Sequence, residues 1–166
     1  MPTTLQDAVD FLQQGGKNGV EIVAGATDWF PARGERPLCQ PILDITKIAE
    51  LQGIERTLQG WRFGAAVTWS DILTADLPNC FAGLKAAARE VGSVQIQNVA
   101  TLAGNLCNAS PAADGVPPLL TLDAAVEIAS LSGVRSVPLT EFVLGVRQTA
   151  LQPGEMVTAV TVPVLP

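Results

Sequence analysis

The sequence predicts an α+β fold in two subdomains, residues 1–53 and 54–166, that differ in strand pairing. In the first, short β-branched runs alternate with helical segments, the order that parallel pairing requires. In the second, consecutive strand segments are separated by short turns, which favours antiparallel hairpins. We place the boundary at Gly53. With 48% hydrophobic residues in 166, the chain can form one substantial core or two small cores that share a seam.

The first subdomain begins with a helix that has start and stop signals. Thr4 stands three residues before Asp7, and apolar residues then recur at helical spacing to about Gln14, where Gly15-Gly16 ends the pattern. β-branched and short apolar runs predict the elements that follow: a strand at 20–24, a helical turn at 29–31, a strand at 41–45 and a helical turn at 48–51.

The second subdomain is predicted to combine hairpins with helices. Two hairpins are expected, with strands at 54–58 and 61–64 around Gln59-Gly60, and strands at 125–130 and 134–137 around Ser132-Gly133. The other predicted elements are helices at 68–73 and 81–91, a helical turn at 138–143, a turn at 151–154 and a strand at 157–162.

The acidic balance of the chain excludes several classes of partner. The formal net charge is −6 and the pI about 4.5, whereas nucleic acid and anionic membrane surfaces attract basic faces. No apolar run approaches the roughly 18 residues of a membrane span, and the first residues lack a basic region followed by an apolar stretch. We therefore expect a cytoplasmic protein that binds neither nucleic acid nor membranes.

Several residue types that carry side-chain chemistry are missing. The chain has no histidine and no tyrosine, which removes the usual general base and the commonest metal ligand. Cys39, Cys80 and Cys107 lack metal-ligand spacing and are predicted to be buried thiols. We expect no metal site and no catalytic side chain, so any redox chemistry must come from a cofactor.

Two loops have the composition of ligand cradles. Residues 95–114 are nearly free of charge and combine small side chains with short hydrogen-bonding ones. Residues 24–28, Ala-Gly-Ala-Thr-Asp, follow a predicted strand. Either loop alone most often only reverses the chain. Because the loops belong to different subdomains, we hypothesise that backbone N–H groups of both hold an elongated diphosphate ligand.

The same two loops resemble those of a known family. Residues 24–28 look like its A-G-G-T-D loop, and 96–105, followed by Ala109-Ser110-Pro111 and Asp114, look like its I-R-N-x-A-T-x-G-G-N…A-S-P-x-x-D motif. Both belong to the FAD-binding domain of molybdenum hydroxylases, which include xanthine dehydrogenase and the carbon monoxide dehydrogenase medium subunit. Residues 154–163 resemble the strand that closes this domain, so the likeness covers essentially the whole chain.

The resemblance implies that FAD binds non-covalently between a small parallel sheet and an antiparallel sheet. Two loops would hold the pyrophosphate and neighbouring groups, and Asp114 would accept a hydrogen bond from a ribose or ribityl hydroxyl or a nearby cofactor group. Of the three tryptophans, which are more often packing residues, Trp29 is best placed for cofactor contact. The residues assigned to FAD are Ala24, Gly25, Ala26, Thr27, Asp28, Trp29, Thr101, Leu102, Ala103, Gly104, Asn105, Ser110, Pro111 and Asp114.

The resemblance also implies partners. In the family, this domain takes electrons from iron–sulfur centres that a molybdopterin-binding large subunit reduces, and FAD passes them to NAD or another acceptor. The chain would then be the FAD module of an oxidoreductase and inactive alone, with molybdopterin and iron–sulfur clusters only on partner domains or subunits.

The sequence departs from the family pattern in ways that motivate an alternative function, although the retained Gly25, Gly104, Asn105 and Asp114 favour FAD binding. Ala26 and Ala103 replace glycines, which is tolerable where φ is negative, and Gln97 replaces an arginine. The family usually continues into a further small domain, which is absent from this sequence ending at Pro166. The alternative is an assembly domain that has lost FAD binding. An enzyme on a related fold, of the UDP-N-acetylmuramate dehydrogenase type, is a third hypothesis.

Overall fold

The computed structural model describes residues 2–15 and 19–164. Its helices and strands are α1 (Leu5–Gln14), β1 (Glu21–Val23), α2 (Trp29–Arg33), β2 (Ile42–Asp44), β3 (Ile54–Thr57), β4 (Gly60–Gly64), α3 (Trp69–Thr74), α4 (Ala82–Glu90), α5 (Val94–Gln97), α6 (Leu102–Asn108), α7 (Val116–Thr121), β5 (Ala125–Ser130), β6 (Gly133–Pro138), α8 (Leu139–Phe142), β7 (Val143–Gly145), β8 (Gln148–Thr149) and β9 (Met156–Pro163), with 3-10 turns at Ala49–Leu51 and Asn79–Phe81. Among the helices of these ranges, none has both the length and the apolar character needed to span a bilayer.

The N-terminal part consists of a capped helix and a small parallel sheet. Thr4 caps α1, because its Oγ1 accepts a hydrogen bond from the Asp7 N–H at 3.2 Å. The helix buries its apolar face, and β1 pairs with β2 in parallel. The predicted helix and the predicted parallel pairing are therefore confirmed. Gly16, part of the predicted stop signal, lies outside the described residues.

The main sheet is antiparallel and has β9 at its centre. Its strand order is β3-β4-β9-β5-β6, and every neighbouring pair runs antiparallel. Both predicted hairpins are present, as β3–β4 and β5–β6. The strand predicted near the end of the chain joins them, because β9 pairs with β4 on one side and with β5 on the other.

A single hydrophobic core connects the N-terminal part to the main sheet. Leu43 and Ile48 belong to the same cluster of buried side chains as Phe63, Trp69 and Val160. Of the two arrangements that the sequence allowed, the chain forms one substantial core. The division into subdomains at residue 53 stays a prediction.

Several features differ from the sequence predictions. Cys39, Cys80 and Cys107 are exposed, so the prediction of buried thiols was wrong. Residues 102–108, expected to be part of a loop, form α6. Helices α5 and α7 and the β7–β8 hairpin were not predicted either. These segments are only two to seven residues long, too short to show a hydrophobic period from which they could be recognised.

Candidate functional site

A cavity of about 360 Å³ lies between the two predicted loops. Residues 24–29 form one part of its wall, and Thr101, Gly104 and Asn105 form another. The remaining lining residues are Ile22, Val23, Ala32, Trp69, Val91, Ile96, Ala100, Cys107 and Asn108. The fold thus brings together residues that are far apart in the sequence.

The first loop presents unpaired backbone amides at this cavity. Within residues 2–15 and 19–164, the N–H groups of Gly25, Ala26, Thr27 and Asp28 donate no hydrogen bond. Ala26 has a φ of 54°, in the left-handed region. A left-handed residue in a tight turn is the backbone feature of amide nests that bind anions. The loop is therefore suited to an anionic ligand.

Gly25 lies where the first loop contacts the chain segment that leads into α6. A Cβ atom at Gly25 would lie 1.8 Å from the carbonyl oxygen of Val99 and 2.9 Å from the backbone nitrogen of Ala100. Real Cβ atoms do not approach other atoms so closely, so only glycine permits this contact. Gly25 is needed because two backbone segments touch, and its φ is not positive.

The second predicted loop is the first turn of α6. The Thr101 side chain caps the helix by accepting a hydrogen bond from the Gly104 N–H at 3.0 Å. Leu102 and Ala103 are buried beneath this turn. Because Ala103 is helical, its replacement of the family's glycine needs no left-handed backbone.

An antiparallel bridge fixes the start of α6 against the start of α3. Thr68, the cap of α3, lies opposite Thr101. The Trp69 N–H donates to Ala100 O at 3.1 Å, and the Leu102 N–H donates to Val67 O at 3.0 Å. Trp69 is fully buried behind the cavity. The bridge therefore fixes the first residues of α3 and α6 relative to each other.

Five of the predicted site residues lie outside the cavity wall: Leu102 and Ala103, which are buried, and Ser110, Pro111 and Asp114. Asp114 is exposed. The segment that contains the last three is tied to α6, because Asn105 Oδ1 accepts a hydrogen bond from the Gly115 N–H at 3.2 Å. Asn105 therefore connects the cavity to the segment that contains Asp114.

The comparison with family models identifies the family to which this chain belongs. Residues 1–165 match the model described as the FAD binding domain in molybdopterin dehydrogenase. The chain belongs to this family. The membership predicted from the two motifs is confirmed, and the α+β fold of this FAD-binding domain agrees with it.

Known relatives of the FAD-binding domain are longer than this chain. It is 35% identical to the glyceraldehyde dehydrogenase medium chain of Sulfolobus acidocaldarius, over 98% of this chain and 58% of the relative. It is 34% identical to the xanthine dehydrogenase FAD-binding subunit of Escherichia coli O157:H7, over 98% and 56%. Among solved structures, quinoline 2-oxidoreductase from Pseudomonas putida 86 superposes with a TM-score of 0.90 at 29% identity, over 99% of this chain and 57% of that one. The chain thus spans a little over half the length of these relatives.

The charges around the cavity suit a diphosphate held by backbone amides. Among the lining residues that the structure describes, Asp28 is the one carboxylate, and none is a lysine or arginine. Phosphate charge would therefore be stabilised by N–H dipoles. The volume is at the small end of the range for ligand pockets, about 300–1,000 Å³. A dinucleotide such as FAD would extend beyond it.

Trp29 is held in the wall of the FAD-binding domain's cavity by charged neighbours. Its Nε1 donates to Glu21 Oε2 at 2.5 Å, and the Arg33 guanidinium lies 4.9 Å from the ring centroid. Arg33 also pairs with Glu21, at 3.6 Å. These contacts fix the indole ring beside the first loop, so Trp29 has a packing role that is compatible with a role as a cavity wall.

Two further residues of the long motif have structural surroundings that the sequence did not reveal. Gln97 is buried, and its Nε2 donates to the carbonyl oxygens of Arg89 and Val91, each at 3.1 Å. The neutral amide of Gln97 therefore holds the C-terminal end of α4. Cys107 lies in the cavity wall, where the surrounding protein raises the pKa of its thiol to about 12. The raised pKa keeps this exposed thiol protonated at neutral pH.

Proposed function

We propose that this chain binds FAD in the cavity between the two loops and works as the electron-transfer module of a molybdenum hydroxylase, in the cytoplasm. It would accept electrons from iron–sulfur centres and pass them to NAD or another acceptor. The unpaired amides of Gly25 to Asp28, at a cavity shared with the first turn of α6, support this proposal most strongly. They provide what an anionic diphosphate needs in a wall without basic residues.

Each part of the site has a proposed task. Residues 24–28 and Thr101 to Asn105 hold the pyrophosphate and its neighbours, and Trp29 bounds the cavity. Asp114, with Ser110 and Pro111 beside it, accepts a hydrogen bond from a cofactor hydroxyl where FAD extends past the cavity. A carboxylate is suited to a hydroxyl and unsuited to direct contact with phosphate oxygens, which would repel it.

FAD, when bound, supplies the redox chemistry, and the residues of this chain bind it, orient it and limit its contact with water. We propose that the molybdopterin and the iron–sulfur clusters are held by a large subunit and by an iron–sulfur domain or subunit. The names of relatives are consistent with such assemblies, since they include the medium chains of glyceraldehyde and carbon monoxide dehydrogenases.

The proposal is tested by titrating the purified protein with FAD and comparing two glycine variants. Gly104→Val places a side chain in the cavity wall, where a Cβ would already lie 2.9 Å from Thr101 Oγ1. We expect it to abolish stoichiometric flavin binding, measured by flavin fluorescence quenching. Gly83→Val is the matched control, because a Cβ there meets its nearest neighbour, Pro118 Cβ, at 3.8 Å. Circular dichroism reports whether each variant has folded.

Two results would contradict the proposal. Equal FAD affinity in the wild type and Gly104→Val would show that the site is elsewhere. If neither the chain nor a version co-produced with a molybdopterin-binding subunit bound flavin, the assembly domain would be the better function. The left-handed alanine at position 26 is the observation that favours that second candidate, because its backbone cost falls on the loop that would bind the cofactor.

A further inference from the structure

Arg147 lies between β7 and β8 and holds the C-terminal end of α6. Its backbone N–H donates to Ala109 O at 2.9 Å. Its Nη1 donates to Asn108 O at 3.2 Å and also to Asn108 Oδ1. Asn108 lines the cavity, and Cys107 beside it does so too. Arg147 therefore fixes the C-terminal end of α6. The first turn of the same helix lines the cavity at its other end.

The backbone at this contact is in a costly conformation on both sides. Arg147 has a φ of 57°, and Ala109, which ends α6, has a φ of 45°. An L-residue other than glycine loses roughly 1–2 kcal/mol in the left-handed region. Such conformations persist where the surrounding contacts over-determine them. The three hydrogen bonds between Arg147 and residues 108–109 are contacts of this kind.

Apolar packing holds only the base of the hairpin, where Val143 packs against the hydrophobic core. Leu144 and Val146, which flank the turn, are 63% and 65% exposed. Polar contacts from Arg147 therefore hold the turn against α6. Since the guanidinium bonds to a residue of the cavity wall, it also brings a positive charge close to a cavity whose described lining includes no lysine or arginine.

We propose that Arg147 is a positioning residue for the cavity: it fixes Asn108 and the end of α6, and thereby sets the wall against which the cofactor binds. The part that concerns FAD rests on the proposed function above. The part that concerns the helix end stands on the contacts alone, so the two can be tested separately.

The test uses Arg147→Gly in the full chain, with two readouts. Glycine removes the side-chain bonds, keeps the N–H that donates to Ala109 and suits the left-handed backbone, so the hairpin turn itself is not strained. The first readout is the rate of iodoacetamide alkylation at Cys107, resolved by peptide mass spectrometry without FAD. Cys39 and Cys80, also exposed, serve as internal controls. The second readout is the FAD dissociation constant.

We expect the variant to raise the Cys107 alkylation rate several-fold while Cys39 and Cys80 react as in the wild type. FAD affinity should fall about tenfold, the equivalent of one hydrogen bond to a charged group. Arg147→Lys, which keeps a charged donor, should recover part of both effects. Arg89→Ala, at an exposed position on α4, should change neither.

The outcomes separate the two claims. Unchanged Cys107 reactivity in Arg147→Gly would overturn the role of Arg147 in holding α6. Faster alkylation with unchanged FAD affinity would overturn its role in setting the binding wall. Failure of the wild type to bind FAD would overturn the proposed function. The alkylation rates would still show whether Arg147 fixes the end of α6.

Discussion

At the scale of single residues, Gly25 and Ala26 differ in what their backbone surroundings require. Gly25 has an ordinary φ and is required because a Cβ would collide with Val99 O. Ala26 has the left-handed φ that glycine adopts readily, yet it carries a side chain. The sequence alone identified Ala26 and Ala103 as replacements of glycine but could not distinguish them. The structure places Ala103 in a helix and Ala26 in the left-handed region.

Ala26→Gly should stabilise the protein by about 1 kcal/mol, because it removes the clash of Cβ with the backbone in the left-handed region. The free energy of unfolding in urea measures this effect. Ala86→Gly, at an exposed position within α4, is the matched control and should destabilise by about 0.5–1 kcal/mol. A loss of stability in Ala26→Gly as large as that of Ala86→Gly would contradict the argument.

At the scale of elements, the sequence predicted those whose signals are local. The capped helix α1 and the two hairpins could be recognised from hydrophobic period and turn residues. α6 could not, because its position depends on the bridge between Thr101 and Thr68, which lie on different parts of the chain. For the same reason the motif identified the residues of both loops without revealing that Trp69 and Cys107 share their cavity. Nor could it reveal that Asp114 lies outside the cavity wall.

Thr101→Ala and Thr68→Ala form a matched pair that separates stability from binding. Each removes the hydroxyl that caps a helix, from Gly104 N in α6 or from Asp71 N in α3. Each should therefore lower the free energy of unfolding by about 1 kcal/mol. Of these two threonines, only Thr101 lines the cavity, so only the Thr101 variant should also weaken FAD binding.

Urea unfolding and FAD titration of both variants measure the two effects. Equal FAD affinity in the two variants would indicate that the first turn of α6 does not contact the cofactor. A loss of stability in Thr68→Ala alone would indicate that the cap of α6 contributes little to the fold.

At the scale of the whole molecule, one ionic contact ties together the three central strands of the sheet. Glu127 on β5 accepts from Arg62 Nη2 on β4 at 2.9 Å and from Thr158 Oγ1 on β9 at 2.6 Å. Burial raises the pKa of Glu127, but the hydrogen bonds from Thr158 and Arg62 and the charge of Arg62 lower it by more, so the net pKa lies below the ordinary value of 4.5. Folding therefore favours the ionised carboxylate.

The stability that Glu127 contributes should depend on pH with a definite sign. Because its pKa is lowered in the folded state, the contribution is fully present above about the unfolded pKa and is lost as the pH falls through the folded pKa. Glu127→Gln, which cannot ionise, should therefore lower the free energy of unfolding by about 1 kcal/mol at pH 7. The difference from the wild type should shrink progressively below pH 4.5. Urea unfolding between pH 7 and pH 3 measures it, with Glu55→Gln on the exposed face of edge strand β3 as the control. A stability difference that stays constant over this range would show that the charge of Glu127 does not stabilise the sheet.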